Sequence, residues 1–540
     1  MKLFIPYFFL FLTLSGCISK TPVDLIVHNA TIYSINDENA IFEAMAINNG
    51  KIIAIGKENQ ILNKYTSVNK VDALNQYIYP GFIDAHCHFL GYGLTLDKVD
   101  LTNTNSFDEV VERCKKYAQQ TNNKWITGRG WDNTKWENKA FPKKELLDKA
   151  FPNRPVFIRR IDGHAGIANQ YALDLAQITD STKIKGGKIV KENGKITGLL
   201  IDNAVELVLN IIPKPDLNQK KKALLSAQRN CLAVGLTTVD DAGLDKEDVE
   251  LIEKLHQTGE LSIRIYAMLN DTKENFDYYL ENGTYQTERL TINAFKFYGD
   301  GALGSKGACL LKPYTNDTTK GFLLKDTTHF KKYAHLLYEK GFQMCTHAIG
   351  DSTVRFILNT YGEVLQGTND RRWRIEHAQI VDSSDFNLFR KYTIIPSVQP
   401  THATSDMDWV SLVLGKKRTR FGYAYQDLLK QNGWLPLGTD FPIEDINPIV
   451  TFYAAVARKN KDGLPKNGFQ IKNALTRDQA LRGMTIWAAL SNFEEEQKGS
   501  LEVGKVADFV LLNKDLFTVA EDAILTTKVT ATYINGVQVY

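Results

Sequence analysis

The chain runs to 540 residues, 43% of them hydrophobic and 24% charged, with a formal net charge of +3. That length supports one large core and at least one smaller domain, and the composition is that of an ordinary globular protein. No dense Lys/Arg cluster is interleaved with aromatics, which excludes nucleic acid as a partner, and the run Lys220 to Lys222 reads as a solvated helix start.

The first element is a leader. Lys2 is followed by the apolar stretch LFIPYFFLFLTL, too short to span a bilayer comfortably, and then by Leu14, Ser15, Gly16 and Cys17. The tetrapeptide resembles the lipobox of bacterial lipoproteins. On that resemblance residues 1–16 are a signal peptide, Cys17 is the lipidated mature N-terminus, and residues 17–23 are a tether. The expected location is the cell envelope, held at a membrane by acyl chains on Cys17. Five cysteines remain, an odd number without close spacing, which argues against a disulfide framework.

Residues 24–80 read as short β elements separated by Asn/Gly/Asp turns, and residues 496–540 have the same texture in KVADFVLLNKD and VTATYINGVQVY. One small β-sandwich built from both termini is expected. Between them, over 81–495, apolar strand-like runs alternate with amphipathic helical stretches. This is the pattern of an α/β fold, a (β/α)8 TIM-like barrel. Runs such as WITGRG, VFIRRIDGHAG, LTTVDDAG, NAFKFYGDG, QMCTHAIGD, RIEHAQI and LPLGTDFP pass from apolar to polar or Gly-rich residues, and together with their fellows they exceed eight. The surplus is assigned to an insertion over about 125–215 near the barrel mouth, where KIKGGKIVKENGKITGLL predicts a β-hairpin.

In GFIDAHCHF, His86 and His88 stand two residues apart after an apolar run. Residues i and i+2 of a strand share a face, so both imidazoles reach one ion. Lys296, His347, His377 and Asp440 follow, each near the end of a separate predicted strand, while His256, His329 and His335 fall in polar helical stretches. Neutral imidazoles suit zinc and similar divalent ions, and an open coordination position lowers the pKa of bound water. A carboxylate beside that water, here Asp440, serves as general base and then general acid. Lys296 fits beside a cation only with a depressed pKa or as a carbamate.

The motifs PGFIDAHCHF, FKFYGDGALGS, THAIGD, RIEHAQ, SVQPTHATSD, LGTDFPIEDINP and GSLEVGKVADFVLL resemble those of the amidohydrolase superfamily, within it amidohydrolase family 3, the group of YtcJ-like proteins and N-substituted formamide deformylases. The likeness extends from about residue 24 to the C-terminus. It implies a metal-dependent barrel hydrolase acting on carbon–nitrogen bonds other than peptide bonds, with His86, His88, Lys296, His347, His377 and Asp440 at the metal and catalytic positions. One zinc-like ion is implied, or two if carbamylated Lys296 bridges them. By the same resemblance His164 and His402 face the substrate pocket; Asp300 and Arg374, as polar residues at strand ends, are expected to orient the ligands. GTD stands at Asp440 where many relatives have GSD.

The expected reaction is amide or formamide hydrolysis, with Asp440 carrying the proton. Two alternatives stay open: a non-catalytic metal- or ligand-binding lipoprotein on this scaffold, and a hydrolase of N-acyl amino acids or cyclic amides in which Arg159, Arg160 or Arg374 binds a substrate carboxylate. The expected partners are a small-molecule substrate, the membrane and, as an open option, a second copy in a homodimer.

Overall fold

The computed structural model describes residues 20–121 and 123–540. The expected signal segment, Cys17 and the first part of the tether lie outside the described residues. Among the described residues no helix is long and apolar enough to cross a membrane, and Cys87, Cys114, Cys231, Cys309 and Cys345 are all free thiols.

Seven parallel strands form the central sheet in chain order: β1 (Phe82–Cys87), β2 (Leu236–Leu244), β3 (Arg264–Asn270), β4 (Leu290–Tyr298), β5 (Gln343–Ala348), β6 (Arg374–His377) and β7 (Ile395–Ser397). Every residue of β1, β5 and β6 is buried, as expected for strands covered on both faces. Residues 435–440 occupy the eighth position. Val398 N–H donates to Pro436 O at 3.2 Å and Gly438 N–H to Val398 O at 3.0 Å. On the other side Ala85 N–H donates to Leu437 O at 3.1 Å and Asp440 N–H to His86 O at 2.7 Å. The barrel therefore closes through an irregular segment. Gly438 explains the irregularity: a Cβ there would lie 2.6 Å from His86 N and 2.9 Å from Asp84 Oδ1, so only glycine lets this segment approach β1 so closely.

The helices that return the chain between strands are set by ordinary signals. Leu217–Ala233 begins with a capping box made by Asp216 and Gln219 and leads into β2. Val239, Ile265, Phe295, Met344 and Ile375 from successive strands share one apolar core with these helices.

Between β1 and β2 the chain builds a separate six-stranded sheet, in spatial order Val99–Asp100, Ile126–Trp131, Val156–Arg160, Ala165–Ala168, Lys195–Asp202 and Gly187–Glu192. WITGRG and VFIRR therefore belong to the insertion and not to the barrel. The insertion also opens earlier than residue 125, at Val99, because helix Phe107–Gln120 packs Val110, Val111 and Cys114 onto Ile126, Trp131 and Ile158 of this sheet. The hairpin in KIVKENGKITGLL turns through Asn193 and Gly194, both at positive φ (50° and 81°), the backbone of a two-residue primed turn.

The two ends of the chain form a pair of facing sheets. One has four strands, Lys51–Gly56, Ala44–Asn48, Leu25–His28 and Lys70–Asp72; the other has six and pairs Phe509–Leu512 antiparallel to Tyr77–Pro80. Val27, Ile32, Ile47, Ile78, Phe509 and Tyr533 fill the space between them.

Candidate metal centre

The C-terminal ends of β1, β4, β5 and β6 and the closing segment bring six side chains to one point at the barrel mouth. His86 Nδ1–H donates to Glu376 Oε2 at 2.6 Å. A carboxylate only accepts, so Nδ1 carries a proton and the neutral ring in this tautomer turns the lone pair of Nε2 to the centre. There Nε2 lies 2.9 Å from Lys296 Nζ and 3.7 Å from Asp440 Oδ1. His88, just past β1, places Nε2 3.2 Å from the same Asp440 oxygen. His377 repeats the arrangement of His86: its Nδ1 meets Gln399 Oε1 at 2.7 Å, while the Gln399 amide nitrogen points back to Ser397 O at 3.5 Å. The His377 ring centroid is 4.9 Å from that of His86 and 4.6 Å from that of His347.

Two buried polar atoms at this point have no hydrogen-bond partner, His347 Nε2 and Asp440 Oδ1. Orphaned lone pairs are expensive in a native interior unless something else satisfies them. The trio His86, His88 and Asp440 has ligand atoms spaced to hold one ion, and so has the trio His377, His402 and Asp440. The donor set, imidazole nitrogens with one carboxylate, fits a zinc-like divalent ion.

The electrostatics favour ligating forms. Burial pushes His347 and His377 well below their ordinary value and His88 down to about 4, so all three imidazoles are neutral at pH 7. Burial likewise lowers Lys296, although the Glu376 and Asp440 carboxylates pull it back up. Burial alone would raise Asp440, but the His402 hydrogen bond to Oδ2 and the His88 and His86 rings close by hold it well below the usual carboxylate range. Glu376 is kept below its ordinary value in the same way, with burial offset by His86, Arg374 and Lys296.

His402 occupies a place of its own. It sits in the first turn of helix Pro400–Asp406, with Nδ1 3.1 Å from Glu444 Oε1 and Nε2 3.3 Å from Asp440 Oδ2. Burial disfavours its charged form, yet the two carboxylates outweigh burial and push it up to about 10. The two carboxylates favour the charged form of this ring, which fixes Asp440, and its atoms also belong to the second trio spaced to hold an ion. His164 stands on the turn before Ala165–Ala168 of the inserted sheet. Its Nδ1–H donates to Asp202 Oδ1 at 2.7 Å, and its ring centroid lies 5.2 Å from that of His347. That carboxylate raises His164 despite burial. Both histidines line a cavity of about 1190 Å³ together with His88, Lys296, His347 and Asp440.

Asp300 and Arg374 act on backbone instead of on ligands. Asp300 accepts from the N–H groups of Cys309, Ile349 and Gly350 at 2.8, 3.0 and 2.9 Å, which holds the loop after β5, and it stands 3.7 Å from His347 Nε2. Arg374 donates to Ala85 O at 3.2 Å and pairs with Asp240 at 2.9 Å, fully buried beneath the centre. It is therefore not available to a substrate carboxylate. Arg160 is likewise engaged, by Asp132 and by Asp162 at 2.6 Å. Glu376, Gln399 and Glu444 were not singled out by the sequence, although RIEHAQ, SVQPTH and DFPIED carry them.

Known proteins resemble the chain over nearly its whole length. The model of the Amidohydrolase family matches residues 70–540. YtcJ of Bacillus subtilis (strain 168) is 30% identical over 526 residues, covering 95% of this chain and 99% of that protein. The N-substituted formamide deformylase of Arthrobacter pascens is 26% identical over 540 residues, covering 96% and 98%. Among solved structures, an uncharacterized metal-dependent hydrolase from Pyrococcus horikoshii OT3 superimposes with a TM-score of 0.75 at 27% identity, covering 92% of this chain and 99% of that one.

Proposed function

The chain belongs to the amidohydrolase family and is a metal-dependent hydrolase, and from that premise we propose that it cleaves a carbon–nitrogen bond other than a peptide bond, of the amide or formamide type. The observation that carries this reading is the division of labour within one carboxylate. Asp440 Oδ2 is pinned by the His402 ring, while Oδ1 is buried without a partner beside His88 and His86. The likeness to a formamide deformylase supports the bond type.

His86, His88 and Asp440 would hold the ion, with His347, His377 and Lys296 beside them; by the chemistry of the donors we propose zinc. Such an ion supplies Lewis-acid activation of water and of the scissile carbonyl. The chain's own residues do the rest. Ionised Asp440 takes a proton from the attacking water and returns it to the departing nitrogen, as general base and then general acid. His164, whose charged form the Asp202 carboxylate favours, faces the cavity from the inserted sheet, where its proton can be donated to the carbonyl oxygen as negative charge develops there. Lys296 lies within an apolar strand, and burial lowers its pKa, the direction that favours carbamylation.

The test uses protein lacking residues 1–16, with its metal content measured. Chelation should abolish hydrolysis of N-substituted formamides or N-acyl amines, and added Zn²⁺ should restore it. Asp440→Asn should lower kcat by about 10²- to 10⁴-fold. An active metal-free protein, or an Asp440→Asn variant with unchanged kcat, would overturn the reading.

A further inference from the structure

Most basic side chains on the cavity wall are answered by an acid. Arg160 has Asp132 and Asp162, Lys325 has Asp271 at 2.7 Å, Lys459 has Glu521 at 2.6 Å, Lys461 has Asp445, and Lys135 has Asp408 at 3.7 Å. Lys296, which faces His86 at the centre, and the pair Arg129 and Arg159 are the exceptions: among the described residues none of them has a carboxylate within salt-bridge distance. The two arginines are also neighbours. Arg129 lies in Ile126–Trp131, Arg159 lies in Val156–Arg160, and the parallel register of these strands sets the two residues directly opposite each other.

Like charges facing across a strand pair are destabilising, so this placement needs a compensating partner. Burial pushes both guanidiniums below their ordinary value, and for Arg129 the neighbouring Arg159 adds to the effect; Asp440 and Asp162 for Arg129, and Glu206 and Asp162 for Arg159, offset only part of it from a distance. Their hydrogen bonds within the chain orient them without neutralising them. Arg129 Nε and Nη2 donate to Ile161 O at 3.0 and 2.9 Å, and Arg159 Nη2 donates to Gly163 O at 2.6 Å. Arg159 Nε is buried and has no acceptor at all. A Cβ on Gly163, where φ is +76°, would lie 2.8 Å from Nη2 of both arginines, so the two tips converge on one loop. Both line the cavity that His88, His347 and Asp440 also line.

We propose that the substrate carries a carboxylate and that Arg129 and Arg159 bind it, which makes the substrate class N-acyl amino acids and related amides bearing an acid. The planar donor fork of arginine matches the two oxygens of a carboxylate, and a substrate acid supplies the close countercharge that Glu206, Asp162 and Asp440 provide only from beyond salt-bridge distance. The inference rests on the hydrolase reading above for the bond cleaved, but not for the binding of the acid.

The experiment therefore measures binding and turnover separately. The probes are N-formyl and N-acetyl derivatives of alanine, leucine and phenylalanine, in both enantiomers, each paired with its methyl ester, which keeps the shape and removes the charge. Calorimetric titration of the Asp440→Asn protein, in which turnover is suppressed, should show an acid binding at least about tenfold more tightly than its ester. Adding Arg159→Gln or Arg129→Gln should weaken the acid by about 10- to 100-fold and leave the ester within about twofold. A merely structural role would weaken acid and ester alike and lower the melting temperature. That result overturns the proposal, as does the absence of any preference for acid over ester. Inorganic phosphate is the control anion: if it binds at this pair more tightly than every acid, the carboxylate assignment fails. In the metal-loaded protein, hydrolysis of esters and acids at equal kcat/KM overturns the inference and leaves the hydrolase reading standing. Tight, Arg-dependent binding of acids without hydrolysis of any amide supports the inference and removes the hydrolase reading instead.

Discussion

Glu376 and Gln399 decide which nitrogen of His86 and of His377 faces the centre. Each holds an Nδ1–H, at 2.6 and 2.7 Å, and the neutral ring in that tautomer presents the lone pair of Nε2. Glu376→Gln keeps an acceptor in reach of His86 but removes the charge that makes its imidazole a stronger donor to a cation. Metal affinity should fall by about 10- to 100-fold, read by competition with a chromogenic chelator, and Glu376→Ala should fall further. Equal affinity in all three proteins would mean that Glu376 does not position His86. Why Glu376 escapes a reading of the sequence is instructive. Strict alternation along a strand would turn it away from the face of its neighbour His377. The strand ends at His377, whose φ of 72° breaks the alternation, so the adjacent acid and imidazole both serve the centre. The residue types that bind metals stood out at strand ends; the groups that aim them depend on backbone angles that carry no residue signature. His402 shows the same limit, since its motif suggests a pocket position but only the fold brings Glu444 and Asp440 to its two nitrogens.

Elements divide in the same way. The barrel was legible because its apolar runs end in polar or glycine-rich turns, and LPLGTDFP reads as one more such run even though its approach to β1 rests on Gly438. WITGRG and VFIRR carry an identical signal because the inserted sheet also pairs them in parallel and buries them. Periodicity reports burial, not the sheet to which a strand belongs. Helix Lys246–Gln257, which packs Val249, Ile252 and Leu255 into the core, holds a consequence for stability. His256 in its last turn reads as a surface histidine, yet its Nε2–H donates to Ile263 O at 3.0 Å and its Nδ1 is buried without a partner. Burial pushes it down to about 4 from an ordinary 6.5. The folded chain thus binds fewer protons than the unfolded chain between these values, so the stability this ring contributes is fully present above pH 6.5 and lost as pH falls toward 4. Partial exposure of the ring reduces the effect to roughly 1–2 kcal/mol. Urea midpoints of the wild type should fall across that window more steeply than those of His256→Gln, and parallel curves would refute the assignment.

At the scale of the whole molecule the question is what holds the terminal sandwich to the barrel, since the centre depends on β1 and β1 follows directly from the sandwich strand Tyr77–Pro80. Apolar contact contributes, with Val510 and Leu512 joining the barrel's own core. One polar junction is embedded in it. Arg264, the first residue of β3, makes a fork to Asp508 through Nε at 2.6 Å and Nη2 at 3.1 Å, and its other donors reach Asn535 Oδ1 at 2.5 Å and Glu288 O at 2.6 Å. Asp508 accepts in addition from Asn535 N–H at 2.9 Å, while its backbone oxygen accepts from Gly81 N–H at 2.9 Å, one residue before β1. The pair is almost wholly buried. Forming such a pair gains little over apolar packing, but removing one partner strands a charge in a dry interface. Asp508→Ala should therefore cost about 3–5 kcal/mol, seen as a fall in the urea midpoint. The double variant Arg264→Met/Asp508→Leu, which leaves no charge behind, should recover most of that loss. Because the junction abuts β1, Asp508→Ala should also release bound metal at lower urea than the double variant does. An unchanged midpoint in Asp508→Ala would show that the sandwich is held by its apolar face alone.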